Sequence, residues 1–201
     1  KMVTVHNNIK HLRVFIRWCE GNDLIEWGTA DKMEIPNLSK SQRVSDTTIP
    51  LERAEHTLRY YNTYKYASRQ HAVFYTMWHT ACRASGAVSL DLRDFEPSTT
   101  GANILKFRNR ESLGTPLKNA DSSERNITIS QGLTDVLEDY IQSKREPTDD
   151  DFDREPLFTT SNGRVTRQRI YRNVVGYTRP CIVNDTCPHN RSIEDCDSAQ
   201  N

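Results

Sequence analysis

Residues 67–95 read ASRQHAVFYTMWHTACRASGAVSLDLRDF, and the fold turns on them. Over 67–82, Phe74, Met77, Trp78 and Ala81 recur at helical spacing in the most apolar segment of the chain. Such a segment is expected to be the core helix, with other elements packed round it. Two short alternating runs follow, Ile104-Leu105-Lys106-Phe107-Arg108 and Asn126-Ile127-Thr128-Ile129. Alternation of apolar and polar residues is the period of a half-buried strand, and a loop holding Gly114, Pro116, Lys118 and Asn119 joins the two. A central helix followed by a small antiparallel hairpin implies an α+β domain, mainly helical.

The flanking segments extend this pattern. Val5, Ile9, Leu12, Ile16 and Cys19 are spaced as one face of a helix over 4–20, with Gly21 as its stop. Residues 35–49 lose the period and are rich in Ser, Thr, Asn and Pro, as a linker would be. Pro50 opens the next helix, where its missing N–H does no harm, and Leu51, Ala54, Leu58 and Tyr61 form its stripe. Later helices are expected over 132–144, with Ser130 as cap candidate, and over 166–177, with Thr166 at the N-cap and Ile170, Val174 and Tyr177 facing inward. A turn at Ser161-Asn162-Gly163 separates them. The expected organisation is therefore a partial helical domain at 1–35, a linker at 36–49, an α+β domain at 50–180 and a Cys/His-rich tail at 181–201.

Composition narrows the function classes. The chain has 201 residues, with 27 basic and 27 acidic side chains that cancel. A mean hydropathy of -0.76 is polar, yet the aromatic and aliphatic content is too high for a wholly disordered chain. No apolar run approaches a membrane-spanning length. The N-terminal stretch KMVTVHNNIKHLRVF lacks the apolar centre of a secretion signal, so a cytoplasmic location is the expectation. The five cysteines, Cys19, Cys82, Cys181, Cys187 and Cys196, do not suggest a disulfide framework in an intracellular chain of this size.

The charge is unevenly distributed. Arg164, Arg167, Arg169, Arg172 and Arg179 fall within sixteen residues that contain no acid. Residues 146–155 hold six acids against one arginine. The basic run is suited to a polyanion and the acidic run to a solvated loop. The plainer reading of the same arginines is a solvated helix face. His71 and His79 are expected to be structural histidines, and Tyr60, Tyr61, Tyr64 and Tyr66 to pack across a helix junction.

The run from Trp78 to Phe95 resembles the first box of the phage-integrase, or tyrosine recombinase, family. In that box an arginine ends a buried helix and a short helix then leads to the hairpin. Residues 103–129, with Thr115-Pro116-Leu117-Lys118-Asn119, resemble the family hairpin that carries an active-site lysine. Ser161-Asn162-Gly163-Arg164 before a basic helix also matches. Thr178-Arg179-Pro180-Cys181 and Cys187-Pro188-His189 are similar to segments of integrase-like proteins of halophilic archaea. The resemblance implies an integrase-type catalytic domain behind part of a core-binding domain. It also implies binding of double-stranded DNA, self-association on that DNA, and strand exchange through a phosphotyrosine with no cofactor for the chemistry.

Within that resemblance, Arg83 would stabilise charge on the phosphate and Lys118 would protonate the leaving 5′ oxygen. By spacing alone they are also an ordinary helix-end arginine and a solvated loop lysine. Two departures stand out. Gly86 occupies the position where the family box carries a glutamate. After the basic helix, neither the family's His-x-x-Arg box nor its tyrosine follows, so the chain reads as a fragment inactive by itself. A non-catalytic DNA-binding module is the alternative. A third reading is a zinc-stabilised protein-interaction domain, because Cys181, Cys187, His189 and Cys196 would complete a tetrahedral structural zinc shell. The same four residues could equally be free thiols, or one disulfide with a cysteine left over.

Overall fold

The structure, a computed structural model, describes residues 2–43, 48–179, 181 and 189–191. The chain divides into two compact units, Lys1–Thr48 and Ile49–Asn201. It is a mainly helical α+β protein with small antiparallel sheets.

The first unit is built on α1 (Met2–Gly21), with a single turn at Ala30–Lys32 and a one-turn helix α2 (Lys40–Arg43). The last of these interrupts the stretch read as linker. Glu20 is buried, and its Oε1 accepts the N–H of Ala30 at 2.8 Å. His6 Nδ1 donates to the carbonyl of Pro36 at 2.7 Å, and Arg13 and Arg17 both reach Asp31. The strap after α1 therefore covers the side of the helix that carries His6, Arg13, Arg17 and Glu20. This splits the expected stripe: Cys19 is buried, whereas Val5 and Leu12 are exposed. Phe15 and Trp18 stack on each other on the exposed side.

The second unit is organised by α4 (Arg69–Thr80), which packs against α3 (Leu51–Tyr64), α5 (Ala84–Ser89), α6 (Gln131–Ser143) and α7 (Arg167–Tyr177). Because neighbours cover it on several sides, its buried set is His71, Ala72, Val73, Phe74, Thr76 and Thr80. Met77 packs at the edge, and Trp78 and Ala81 are exposed, unlike the stripe read from spacing. Three serine or threonine caps fix helix starts: Ser68 accepts from His71 N–H, Ser130 from Leu133 N–H and Thr166 from Arg169 N–H. The last two are the caps expected from sequence.

The main sheet orders β1 (Phe95–Glu96), β2 (Asn103–Phe107) and β3 (Arg125–Ile129) antiparallel, with Leu105 opposite Ile127 and Phe107 opposite Arg125. Leu105 and Phe107 point into a core shared with Leu133, Leu137, Tyr140, Leu157 and Phe158. A second hairpin pairs β4 (Thr159–Thr160) with β5 (Gly163–Arg164). Gly163 has φ +90°, and a Cβ there would stand 3.0 Å from the Asp149 carbonyl. Glycine is needed at this turn because the acidic loop passes so close. Of the four tyrosines expected at the helix junction, Tyr61 is buried and stacks on His71, and Tyr66 meets the same ring edge-on. Tyr64 is instead exposed and tilts against Tyr60 of its own helix.

Candidate nucleic-acid interface

Helix α4 ends where Ala81 adopts a left-handed conformation, φ 48° and ψ 29°. The chain then turns extended at Arg83, which stands at the N-cap of α5. Arg83 is exposed and makes no ion pair among the described residues. Behind it, Gly86 is buried in α5, and a Cβ there would lie 3.4 Å from Cys82 Cβ and 3.5 Å from the Phe107 ring. The family's glutamate at this position would point its carboxylate into that apolar contact.

Lys118 follows the buried anchor Leu117 in the β2–β3 connection. The connection is more structured than a plain loop. Asn109 Oδ1 accepts Leu117 N–H at 3.0 Å, and Asn109 Nδ2 donates to Asp121 at 2.7 Å. Lys118 itself is exposed, with no carboxylate partner among the described residues.

The basic run separates into different environments. Arg167, Arg169 and Arg172 are exposed on α7, with no ion pair among the described residues. Arg169 and Arg172 are three residues apart, so they share one side of the helix. Ile170 is buried and Val174 packs against the core on the opposite side. Arg179 is half-buried, with its Nε shielded and unpartnered. Arg164 departs from the phosphate-contact expectation. Its Nη2 donates to Asp91 at 2.5 Å and to Asp150 at 2.8 Å, and its Nη1 donates to the carbonyls of Val88 and Leu90. Its charge is already balanced inside the fold.

Arg164 belongs to a buried ionic cluster that spacing did not reveal. Arg110 grips Asp94 through both nitrogens, at 2.8 and 2.5 Å, and Arg154 reaches Asp150 at 2.6 Å. Three arginines thus face Asp91, Asp94 and Asp150, joining the β2–β3 connection, the segment after α5, the acidic loop and β5. The acidic loop is therefore not wholly solvated, since Asp150 and Arg154 side chains are both mostly buried. Burial by itself would raise the Asp150 carboxyl. Hydrogen bonds from Arg164 and Arg154 outweigh that and hold its pKa down at about 2. No local signal marks the pairing of Arg164 with Asp91, which are 73 positions apart.

The histidines are structural. Tyr61 and Tyr75 both stack on His71, and its Nδ1 accepts the Ala67 N–H at 3.3 Å. His79 Nε2 accepts the Ser130 N–H at 3.3 Å. A His-x-x-Arg run does occur at His56-Thr57-Leu58-Arg59, but on α3 and ahead of Arg83, the reverse of the family order. Of the zinc candidates, Cys187 and Cys196 lie outside the described residues. Among the described residues no group of three His, Cys, Asp or Glu side chains could hold a metal ion, and no helix is long and apolar enough to cross a membrane.

No protein-family model matches the chain. No curated protein matches it by sequence. Among solved structures, it is similar to the crystal structure of XerA recombinase at 16% sequence identity and a TM-score of 0.50. Its fold is thus like that of this recombinase over 90% of its own length, while spanning only 55% of the XerA chain.

Proposed function

We propose that the chain is the DNA-binding part of a tyrosine recombinase, acting on double-stranded DNA. The observation that carries this reading is the partition of the arginines. Arg110, Arg154 and Arg164 are matched to carboxylates, whereas Arg167, Arg169 and Arg172 stand together on α7 with none among the described residues. Unpaired cations so close together repel one another, and a polyanion relieves that repulsion. Arg83 and Lys118 are likewise exposed and make no ion pair among the described residues. In the complete recombinase, the Arg83 guanidinium would hold the non-bridging oxygens of the scissile phosphate, where charge builds during transesterification. Lys118 would protonate the leaving 5′ oxygen. Self-association on DNA belongs to the same proposal. So does a structural zinc held by Cys181, Cys187, His189 and Cys196, which metal analysis of the purified chain decides: about one zinc per chain, lost in Cys187→Ser, or none.

The test is duplex binding by fluorescence anisotropy across a salt series. Affinity should fall steeply with salt, and each phosphate-contacting arginine removed should lower the slope by about 0.9. Arg169→Ala combined with Arg172→Ala leaving the slope unchanged makes α7 a solvated face and ends the reading. In the complete protein, Arg83→Ala should slow cleavage by roughly two to three powers of ten. Lys118→Ala alone should be rescued by a bridging 5′-sulfur, which leaves without a proton.

A further inference from the structure

Where the N-terminal ends of α4 and α7 meet the β4–β5 hairpin, a cleft of about 460 Å³ opens to solvent. Its walls include Arg69, Arg164, Arg169, Asn162 and Glu146. Arg164 is neutralised by Asp91 and Asp150 and contributes no free charge. Arg69 is different. Its Nη1 donates to the carbonyl of Thr159 at 2.8 Å, its Nε is shielded from solvent without a partner, and it makes no ion pair among the described residues. Arg169 also makes none. Glu146 is an exposed wall residue that forms no ion pair with either arginine among the described residues. With Arg164 balanced, two cations face one carboxylate and the cleft lining keeps a net positive charge.

We propose that this cleft receives a backbone phosphate of the duplex, with Arg69 reaching it from α4 as a contact outside the basic run. The proposal rests on the DNA-binding reading of α7. Three features point to an anion of this kind. Two guanidinium groups without ion pairs among the described residues line one concavity, and a guanidinium fork matches the paired oxygens of a phosphate. The first turn of α7, an eleven-residue helix, adds outward N–H groups and the positive end of its dipole. The cleft also shares Arg169 with the exposed face of α7, so a strand lying on that face passes its mouth. It is remote from Arg83, since Arg69 opens α4 and Arg83 lies beyond its other end, which is about 17 Å away at 1.5 Å per residue. It is therefore a positioning contact, separate from the chemistry.

The experiment compares the unmodified chain with Arg69→Gln, Arg69→Lys and Asn162→Asp, measuring duplex affinity across salt and thermal melting for each. Arg69→Gln should lower the salt slope by about 0.9, as for one lost phosphate contact. Arg69→Lys keeps the charge and should restore the slope. Asn162→Asp removes none of the contacts described above and places a negative charge in the cleft; it should weaken binding several-fold with melting unchanged. Should Arg69→Gln disturb folding, the Asn162→Asp arm alone decides. Unchanged slope in Arg69→Gln and unchanged affinity in Asn162→Asp, while the α7 arginines still lower the slope, overturns the proposal and leaves the DNA reading standing. A phosphorus NMR titration with inorganic phosphate separates the sources: saturable binding lost in Arg69→Gln, without any slope change on DNA, makes this a free-phosphate site and also overturns it. Salt-independent binding by the unmodified chain removes the DNA reading itself.

Discussion

Replacing Arg164 with methionine tests the internal ionic cluster most severely. Methionine keeps much of the side-chain volume but removes the cation and all of its donated hydrogen bonds. Asp91 and Asp150, whose side chains are only 2% and 8% exposed, would be left short of a partner. Removing one member of a buried pair costs about 3–5 kcal/mol, chiefly because the remaining charge stays buried. For a unit of this size each kcal/mol lowers Tm by about 2–4 °C, so a fall of roughly 6–20 °C is expected. Urea unfolding at pH 7 supplies the free energy directly. The pH dependence supplies the sign. With Asp150 held at about 2 against an ordinary 3.8, its contribution of about 2 kcal/mol is full above pH 4 and disappears as pH falls through 2. In Arg164→Met, burial without the cation raises that pKa, so the gap from the unmodified protein should narrow on acidification. Adding Asp91→Asn should recover part of the loss, whereas adding Asp150→Asn should deepen it, because buried Arg154 then loses its carboxylate. A cost under about 1 kcal/mol at pH 7, or a gap that widens in acid, refutes the argument.

Three further outcomes follow from particular contacts. Burial lowers the His71 pKa to about 4 from 6.5, so the fold should lose about 3 kcal/mol as pH falls between those values, and His71→Phe should flatten that part of the Tm–pH curve. Ala81→Gly should raise stability by about 1 kcal/mol in urea unfolding, because the left-handed conformation that directs the chain into Arg83 is costly for alanine. Gly86→Ala meets only ordinary contacts and should be neutral or slightly stabilising, whereas Gly86→Glu forces a carboxylate against Phe107 and should cost at least about 2 kcal/mol by the same measurement.

The parts of the fold that were legible in the sequence are those set by local period and local chemistry. Strands β2 and β3, helices α3, α6 and α7, and the caps Ser130 and Thr166 all depend on residues a few positions apart. What stayed hidden depends on distant partners. The stripe of α1 splits because the strap carrying Ala30, Asp31 and Pro36 chooses which side to cover. The inner faces of α4 are set by four neighbouring helices, which spacing within α4 does not encode. The same limit governs the site. Five arginines in one run look alike in sequence, yet Arg164, on a strand beside the acidic loop, turns inward to Asp91, while Arg167, Arg169 and Arg172 ride the outer side of a helix. Arg69 lies ninety-five positions before Arg164 and gave no signal of the cleft they share.

Arginine labelling with phenylglyoxal, read residue by residue with and without duplex DNA, tests the central claim most directly. The account predicts that Arg83, Arg167, Arg169 and Arg172 react in the free chain and are protected by DNA, with protection lost at high salt. Arg154 and Arg164, bound to buried carboxylates, should stay unreactive in both states. Labelling of the α7 arginines that DNA leaves unchanged, or an Arg164 that reacts freely and becomes protected, would contradict it.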